Sequence, residues 1–273
     1  MKSAKFDYEK PRALADAIKL LAGGAGMAKV IAGGQSFGPM LNLRLAQPDL
    51  LVDVRGLPEL TAVKDEADAV TLGACTTHAA IEDGRVPDAT GGLMPFVARD
   101  IAYRAIRNRG TIGGSLAHAD PAGDWVSVLM LLDATVIISG PAGERRVPAS
   151  EFVTGALATS LAEDEILTGV RIAKFSPKAR WSYYKFCRKT GEFAEAIAGF
   201  VVDPARGIAR AVIGAAEGAP VVITDATALV TGGKSGFDEA IASKATTGAG
   251  FQPGSYEFQV HMAALKRASE RLQ

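Results

Sequence analysis

The stretch Arg107-Asn108-Arg109-Gly110-Thr111-Ile112-Gly113-Gly114-Ser115-Leu116-Ala117-His118-Ala119-Asp120-Pro121-Ala122-Gly123-Asp124 decides how the rest of the chain is read. It strings together a basic turn, paired glycines, a small hydroxyl residue, two carboxylates and a proline suited to opening a helix. No apolar period, helical or extended, runs through it. Such composition suits a loop whose backbone N–H groups face an anionic ligand, because glycine permits positive φ and close approach. A tight loop between two buried elements is the alternative reading.

A second glycine pair lies upstream, where the short apolar run Lys29-Val30-Ile31-Ala32 breaks into Gly33-Gly34-Gln35-Ser36. A strand that ends at paired glycines offers backbone donors to an oxygen-rich ligand. The dinucleotide fingerprint of a Rossmann fold is not satisfied, since it must follow a strand and open a helix. Gly24-Ala25-Gly26 instead precedes the strand, and Gly33-Gly34 lacks the third glycine. Gly232-Gly233-Lys234-Ser235 fails as a phosphate loop because its first glycine position is Ala228, so it reads as a polar turn.

Composition narrows the class. The 273 residues are 48% hydrophobic and 22% charged, as expected of a soluble globular protein. Lys plus Arg equals Asp plus Glu at 30 each, which argues against nucleic acid as the main ligand. Cys75 and Cys187 are the only cysteines, so the chain cannot build an iron–sulfur cluster or a cysteine zinc site. A reducing, cytoplasmic setting follows from the low cysteine usage and the lack of a signal-peptide pattern. No apolar run reaches the ~20 residues of a membrane span.

Taken in order, the chain predicts a strand around Phe6 and Tyr8, then a helix from Pro11 ended by Gly23-Gly24. Strands at 29–32 and 50–54 follow, and a hairpin over 60–72 turns at Lys64-Asp65-Glu66-Ala67-Asp68. Thr77 is suited to cap a helix. Leu93, Phe96, Val97, Ile101 and Ala105 mark one continuous helix leading into the opening loop, and a second helix runs from Pro121 to Leu132 with Val126, Leu129 and Met130 inward. Strands are expected at 134–139, around Arg146-Val147 and at 166–172. Pro177 marks a boundary, beyond which 181–186, 197–202 and 209–213 make a three-stranded meander. Two weak helices near 225–230 and 237–242 and a final helix at 256–272 complete the chain. The implied domains are 1–57, 58–176 and 177–273.

Several of these residues resemble one family. Ala32-Gly33-Gly34-Gln35-Ser36, then Met40-Leu41-Asn42-Leu43-Arg44-Leu45 and Pro48-Asp49-Leu50-Leu51-Val52-Asp53, form the first motif. Arg107 to Ser115, with Ala117-His118-Ala119-Asp120-Pro121 and Asp124, forms the second. Both are similar to the flavoprotein subunit of molybdenum hydroxylases, which include the medium subunit of carbon monoxide dehydrogenase and the middle domain of xanthine dehydrogenase. Asp164-Glu165-Ile166-Leu167 and Lys185-Phe186 before Arg188 extend the likeness over nearly the whole chain.

The resemblance implies an α+β fold, an FAD-binding domain of the vanillyl-alcohol oxidase (PCMH) type in two subdomains, with a C-terminal domain built on a three-stranded antiparallel sheet and helices. It implies FAD as cofactor, held by backbone amides of Ala32, Gly33, Gly34, Gln35 and Ser36 and of Thr111, Ile112, Gly113, Gly114 and Ser115. Asp124, Leu167, Lys185 and the apolar Ile101 match further FAD contacts. Phe193, after Gly191-Glu192, either lies against the flavin or packs as a strand aromatic in the C-terminal domain. Arg107 and Arg109 meet the phosphates or a partner, or one of them braces the loop. The roles of His118 and Asp120 stay open, while His78 and His261 read as a helix-start and a helix-face residue.

The implied activity is electron transfer without a catalytic acid or base and without a metal site in this chain. Its implied partners are a small iron–sulfur subunit and a large molybdopterin subunit, assembled as a dimer of heterotrimers, a heterohexamer. Relatives with an extra iron–sulfur loop are excluded by the two distant cysteines. The competing readings are a self-contained flavin oxidase or reductase of the same superfamily, and a scaffold that has lost its cofactor. The intact glycine motifs speak against the scaffold.

Overall fold

A computed structural model describes residues 2–230 and 237–272, so Gly232-Gly233-Lys234-Ser235 lies outside the described residues. The chain opens with a small parallel sheet in which Leu50–Asp53 is central, flanked by Asp7–Glu9 and Ala28–Ile31. A central parallel strand is covered on both faces, which explains the unbroken apolar run there. Helix Leu14–Gly23 is the crossover and buries Ala17 and Leu21. It starts three residues beyond Pro11, because Ala13 stays extended at φ −132° and ψ 146°. A short helix, Phe37–Asn42, follows the first glycine pair.

The second sheet has five strands in the order Val63–Asp65, Ala69–Gly73, Ile166–Ala173, Thr135–Gly140, Gly143–Pro148. All its neighbours run antiparallel. The last strand in sequence therefore closes the sheet between two hairpins, and Ile166, Leu167, Val170 and Ile172 on it are buried. A minor hairpin, Val153–Gly155 with Ala158–Thr159, hangs beside it.

Two expectations for the helical layer need correction. The helix expected from Leu93 through Ala105 is broken into Leu93–Arg99 and Arg104–Arg107. Between them Ala102 adopts φ +44°, and the Arg107 guanidinium donates to the carbonyls of Ile101 and Ala102. The opening stretch, expected as loop, holds a helix at Ile112–His118. Ile112 and Leu116, one turn apart and fully buried, form its apolar stripe. Two residues are too few to register as a period. Thr111 caps the helix by accepting from the Gly114 N–H at 3.1 Å.

Helix Asp124–Leu131 comes next, and all eight of its residues are buried, not only Val126, Leu129 and Met130. A helix apolar all round must be covered on every side. It lies against the C-terminal strands as well as helices Ile112–His118 and Ala149–Phe152. That sheet has four strands, Arg180–Phe186, Ala196–Asp203, Ile208–Gly214 and Val221–Ile223. The three-stranded expectation missed Val221–Ile223, a run of three residues too short to show alternation.

Strand Ala196–Asp203 is covered on both faces. Ile197 and Val201 join the main core, while Ala198 and Phe200 join a second core under the C-terminal helices Glu239–Gly248 and Tyr256–Glu270. Helix Glu239–Gly248 extends past the expected end at Ala242, and Asp238 caps its start by accepting from the Ala240 and Ile241 amides. The segment near 225–230 holds only the 3-10 turn Thr227–Leu229. His261 is buried, its ring nitrogens facing the carbonyls of Glu257 and Gly214 at 2.7 and 3.0 Å.

Candidate cofactor site

The two glycine motifs meet. A Cβ on Gly33 would stand 2.1 Å from the Arg109 carbonyl oxygen, so only glycine fits there. Gly34 turns the chain at φ +72°, and its carbonyl accepts from the Gly38 amide at 2.9 Å. The amides of Gly33, Gly34, Gln35 and Ser36 make no hydrogen bond among the described residues, and all four residues line one cavity of about 750 Å³. Gln35 folds back, its amide donating to the Gly33 carbonyl at 2.9 Å. Four free donors on a cavity wall are what a diphosphate requires where cations are scarce.

The second motif does not offer the same donors. The Ile112 amide donates to Thr76 O at 3.0 Å and the Gly113 amide to Ala74 O at 2.9 Å. Gly114 N is taken by Thr111 Oγ1, and Ser115 N by Thr111 O at 3.0 Å. Gly113 is glycine for packing, since a Cβ would lie 2.4 Å from that of Ala74. What this segment presents to the cavity is surface: Thr111, Gly114 and Ser115 line it, whereas Ile112 and Gly113 face the core.

Asp124 and Lys185 also line the cavity and form a buried ion pair at 2.8 Å. The other carboxylate oxygen of Asp124 accepts from Tyr183 Oη at 2.7 Å. Burial pushes the Asp124 carboxyl up, against the charge and hydrogen bond of Lys185. Tyr183 is raised well above the ordinary phenol range, first by burial and then by the Asp124 charge. Lys185 also reaches the Asp100 carbonyl at 3.5 Å. The pair thus pins the strand Arg180–Phe186 to the turn that carries Ile101.

Arg107 braces the same turn from behind. It is buried, forms a two-pronged pair with Glu82 at 2.8 and 2.9 Å and holds the Ile101 and Ala102 carbonyls. Arg109 is exposed and unpaired among the described residues. Ile101 and Ala102 line the cavity. Phe193 sits at the rim in the loop before Ala196–Asp203 and is 71% exposed, so it does not pack as a strand aromatic in the C-terminal domain.

Of the residues singled out in the sequence, Ala32, Gly33, Gly34, Gln35 and Ser36 come together with Ile101, Thr111, Gly114, Ser115, Asp124, Lys185 and Phe193 around the cavity. Leu167 does not join them. It is buried in the central strand, opposite Ile138. His118 and Asp120 line the cavity, and an Asp120 carboxylate oxygen accepts from the Ala122 amide at 2.9 Å. Sequence reasoning missed Lys29, Phe37, Leu157 and His78 as lining residues. Leu157 carried no signal, since its φ of +54° is invisible in the sequence. No group of three or more His, Cys, Asp or Glu among the described residues is placed to hold a metal, and no helix there is long and apolar enough to cross a membrane.

The family model described as the FAD binding domain in molybdopterin dehydrogenase matches residues 4–174. The carbon monoxide dehydrogenase medium chain of Hydrogenophaga pseudoflava is 37% identical over 192 residues, which span 70% of this chain and 67% of the relative. The nicotine 6-hydroxylase medium subunit of Paenarthrobacter nicotinovorans is 35% identical over 270 residues, covering 98% and 93%. Among solved structures, a carbon monoxide dehydrogenase from Hydrogenophaga pseudoflava lacking the Mo-pyranopterin moiety superposes with a TM-score of 0.88 at 31% identity, covering 99% of this chain and 98% of that one. Quinoline 2-oxidoreductase from Pseudomonas putida 86 gives 0.86 at 33%, with the same coverage.

A mixed α and β fold with this cavity defines a flavoprotein. The chain belongs to the FAD-binding domains of molybdopterin dehydrogenases, and its cofactor is FAD. It is an oxidoreductase subunit. The residues present fit that cofactor: among the described residues the Gly33–Ser36 amides are unclaimed on the cavity wall, and of the two lysines lining it Lys185 is paired with Asp124.

Proposed function

We propose that this chain is the FAD-carrying electron-transfer subunit of a molybdenum hydroxylase complex, relaying electrons from iron–sulfur clusters of a small partner to an external acceptor. In this reading a large molybdopterin subunit hydroxylates the substrate, and the three chains assemble as a dimer of heterotrimers in the cytoplasm. FAD supplies the redox chemistry when bound. This chain's residues bind it, orient it and keep water away. The fold is assigned to the vanillyl-alcohol oxidase type, with residues 1–57 and 58–176 as its two subdomains and 177–273 as the C-terminal domain.

The observation that carries the reading is that the free amides from Gly33 to Ser36 and the Asp124–Lys185 pair line one cavity. The Gly33–Ser36 amides and the Thr111–Gly114–Ser115 surface hold the diphosphate and its neighbouring atoms. Ile101 and Phe193 supply apolar contact to the ring system, with Phe193 at the open edge where an acceptor would approach. Asp124 acts chiefly by fixing Lys185, since each of its oxygens already has a donor. Both cysteines are free and unsuited to cluster binding, which agrees with a division of labour among subunits.

Reconstitution tests this. The purified chain should take up FAD and yield a flavin absorbance spectrum, and affinity purification should retain an iron–sulfur chain and a molybdopterin chain. A colourless protein that takes up no FAD defeats the reading. Oxidation of a small organic substrate by the isolated holo-chain would defeat the electron-transfer assignment in favour of a self-contained flavoenzyme.

A further inference from the structure

His78 opens the short helix His78–Glu82 and as a residue is only 5% exposed. Its Nδ1 accepts a hydrogen bond from the Trp125 indole N–H at 2.9 Å. An indole nitrogen can only donate, so Nδ1 carries no proton and the neutral ring must be protonated at Nε2. Burial, reinforced by the nearby Arg107 charge, pushes the His78 pKa down to about 4, which keeps the ring neutral near pH 7.

The Nε2 proton has no acceptor among the described residues. His78 nevertheless lines the cavity, and its Nε2 lies at Gly110, where a Cβ would come within 2.8 Å. Any other residue at position 110 would crowd the nitrogen, so glycine leaves it open. The Nε2–H is not sealed off in the core, and a ligand acceptor placed in line with it would contribute a hydrogen bond worth about 0.5–1.5 kcal/mol. A ring buried to this degree, locked in one tautomer and turned towards the cavity, is built to donate.

We propose that His78 is a cofactor-binding residue whose Nε2–H donates a hydrogen bond to an acceptor oxygen or nitrogen of bound FAD, and that Trp125 is the positioning residue that holds it in the donating tautomer. The inference rests on the FAD reading above and extends it to a residue outside both glycine motifs. Because the ring is neutral, His78 contributes direction rather than charge. Trp125 acts only through His78, since it is itself fully buried.

The test measures FAD affinity of the full chain by fluorescence titration, alongside its thermal midpoint. His78→Phe removes the donor while keeping ring volume and should raise the Kd about tenfold. His78→Gln places an amide donor near the Nε2 position and should stay within about threefold of the unmodified chain. Trp125→Phe should weaken FAD binding when His78 is present and have little further effect in the His78→Phe background. A folded His78→Phe variant with unchanged FAD affinity overturns the proposal. Should His78→Phe not fold, the ¹⁵N signal of His78 Nε2 in the unmodified chain decides: a shift on adding FAD supports the hydrogen bond, and no shift overturns it. Failure of the unmodified chain to bind FAD overturns the cofactor reading and this inference together, whereas normal binding with an indifferent His78 overturns only the latter.

Discussion

Gly33 lies under the Arg109 carbonyl so closely that a Cβ on it would stand 2.1 Å from the oxygen. The two glycine motifs, 80 positions apart counting from Gly33 to Gly113, therefore form one packed unit whose spacing sets the cavity width. Gly33→Ala should forbid that approach and lower the thermal midpoint by well over the roughly 2–4 °C that 1 kcal/mol produces in a protein of this size. Gly114→Val acts differently, because Gly114 is exposed at the cavity. That variant should remain folded and lose FAD. Circular dichroism with flavin absorbance separates the two outcomes, and full FAD occupancy in Gly114→Val would mean the segment does not line the cofactor.

Lys185 and Asp124 are buried partners, so removing one strands the other. Lys185→Met should destabilise the chain by about 3–5 kcal/mol in urea denaturation, with much of that recovered in the double variant Lys185→Met, Asp124→Asn. Equal losses in the single and double variants would show that the pair contributes through packing alone.

Arg107 and Arg109 look alike in the sequence and differ in the fold. Arg107→Ala leaves the Glu82 carboxylate and the Ile101 and Ala102 carbonyls short of donors and should cost about 2 kcal/mol or more. Arg109→Ala should change stability by less than about 0.5 kcal/mol, as expected of an exposed, unpaired side chain. Thermal unfolding of the two variants side by side checks this.

Acid should destabilise the protein in two windows. His78 has a folded pKa of about 4 against about 6.5 when unfolded. The unfolded chain therefore binds that proton first, and the stability present above pH 6.5 falls as pH drops towards 4, by about 3 kcal/mol. Asp53 follows. Burial raises its carboxyl, but hydrogen bonds from Arg55 and Tyr8 outweigh burial and bring it to about 2. Its contribution, about 2 kcal/mol, is complete above pH 4 and lost as pH falls towards 2. Chemical denaturation across pH should lose the upper window in His78→Phe and the lower one in Asp53→Asn.

Phe193 is an exposed aromatic on a cavity rim. Phe193→Ala should leave the thermal midpoint within about 1 °C of the unmodified chain, since no core contact is lost. It should alter the flavin absorbance spectrum and the rates with artificial electron acceptors. Unchanged spectrum and rates would remove Phe193 from the flavin site.

The longer sheet strands were legible because they carry enough apolar residues in sequence, as in Leu50–Asp53 and Ile166–Ala173, which Val221–Ile223 does not. The helix Ile112–His118 was not, since Ile112 and Leu116 alone bury its face while His118 and glycines fill the rest. The break at Ala102 was invisible for a related reason: its cause, the Arg107 guanidinium, arrives from the following turn. Leu167 reads as a site residue by likeness, yet its strand position turns it into the core.

By itself the sequence determined the chemistry on offer: paired glycines without cations, and too few cysteines for clusters. Residue types and local spacing suffice for that, because backbone freedom and thiol count are properties of the chain before it folds. Only the tertiary structure decided which amides are free. The amides of Gly33 to Ser36 follow the strand with no acceptor among the described residues, whereas those from Ile112 to Ser115 are consumed by Thr76, Ala74 and Thr111. A hydrogen bond has one donor and is made or withheld by whatever lies across from it, and what lies across from a residue is set by the fold.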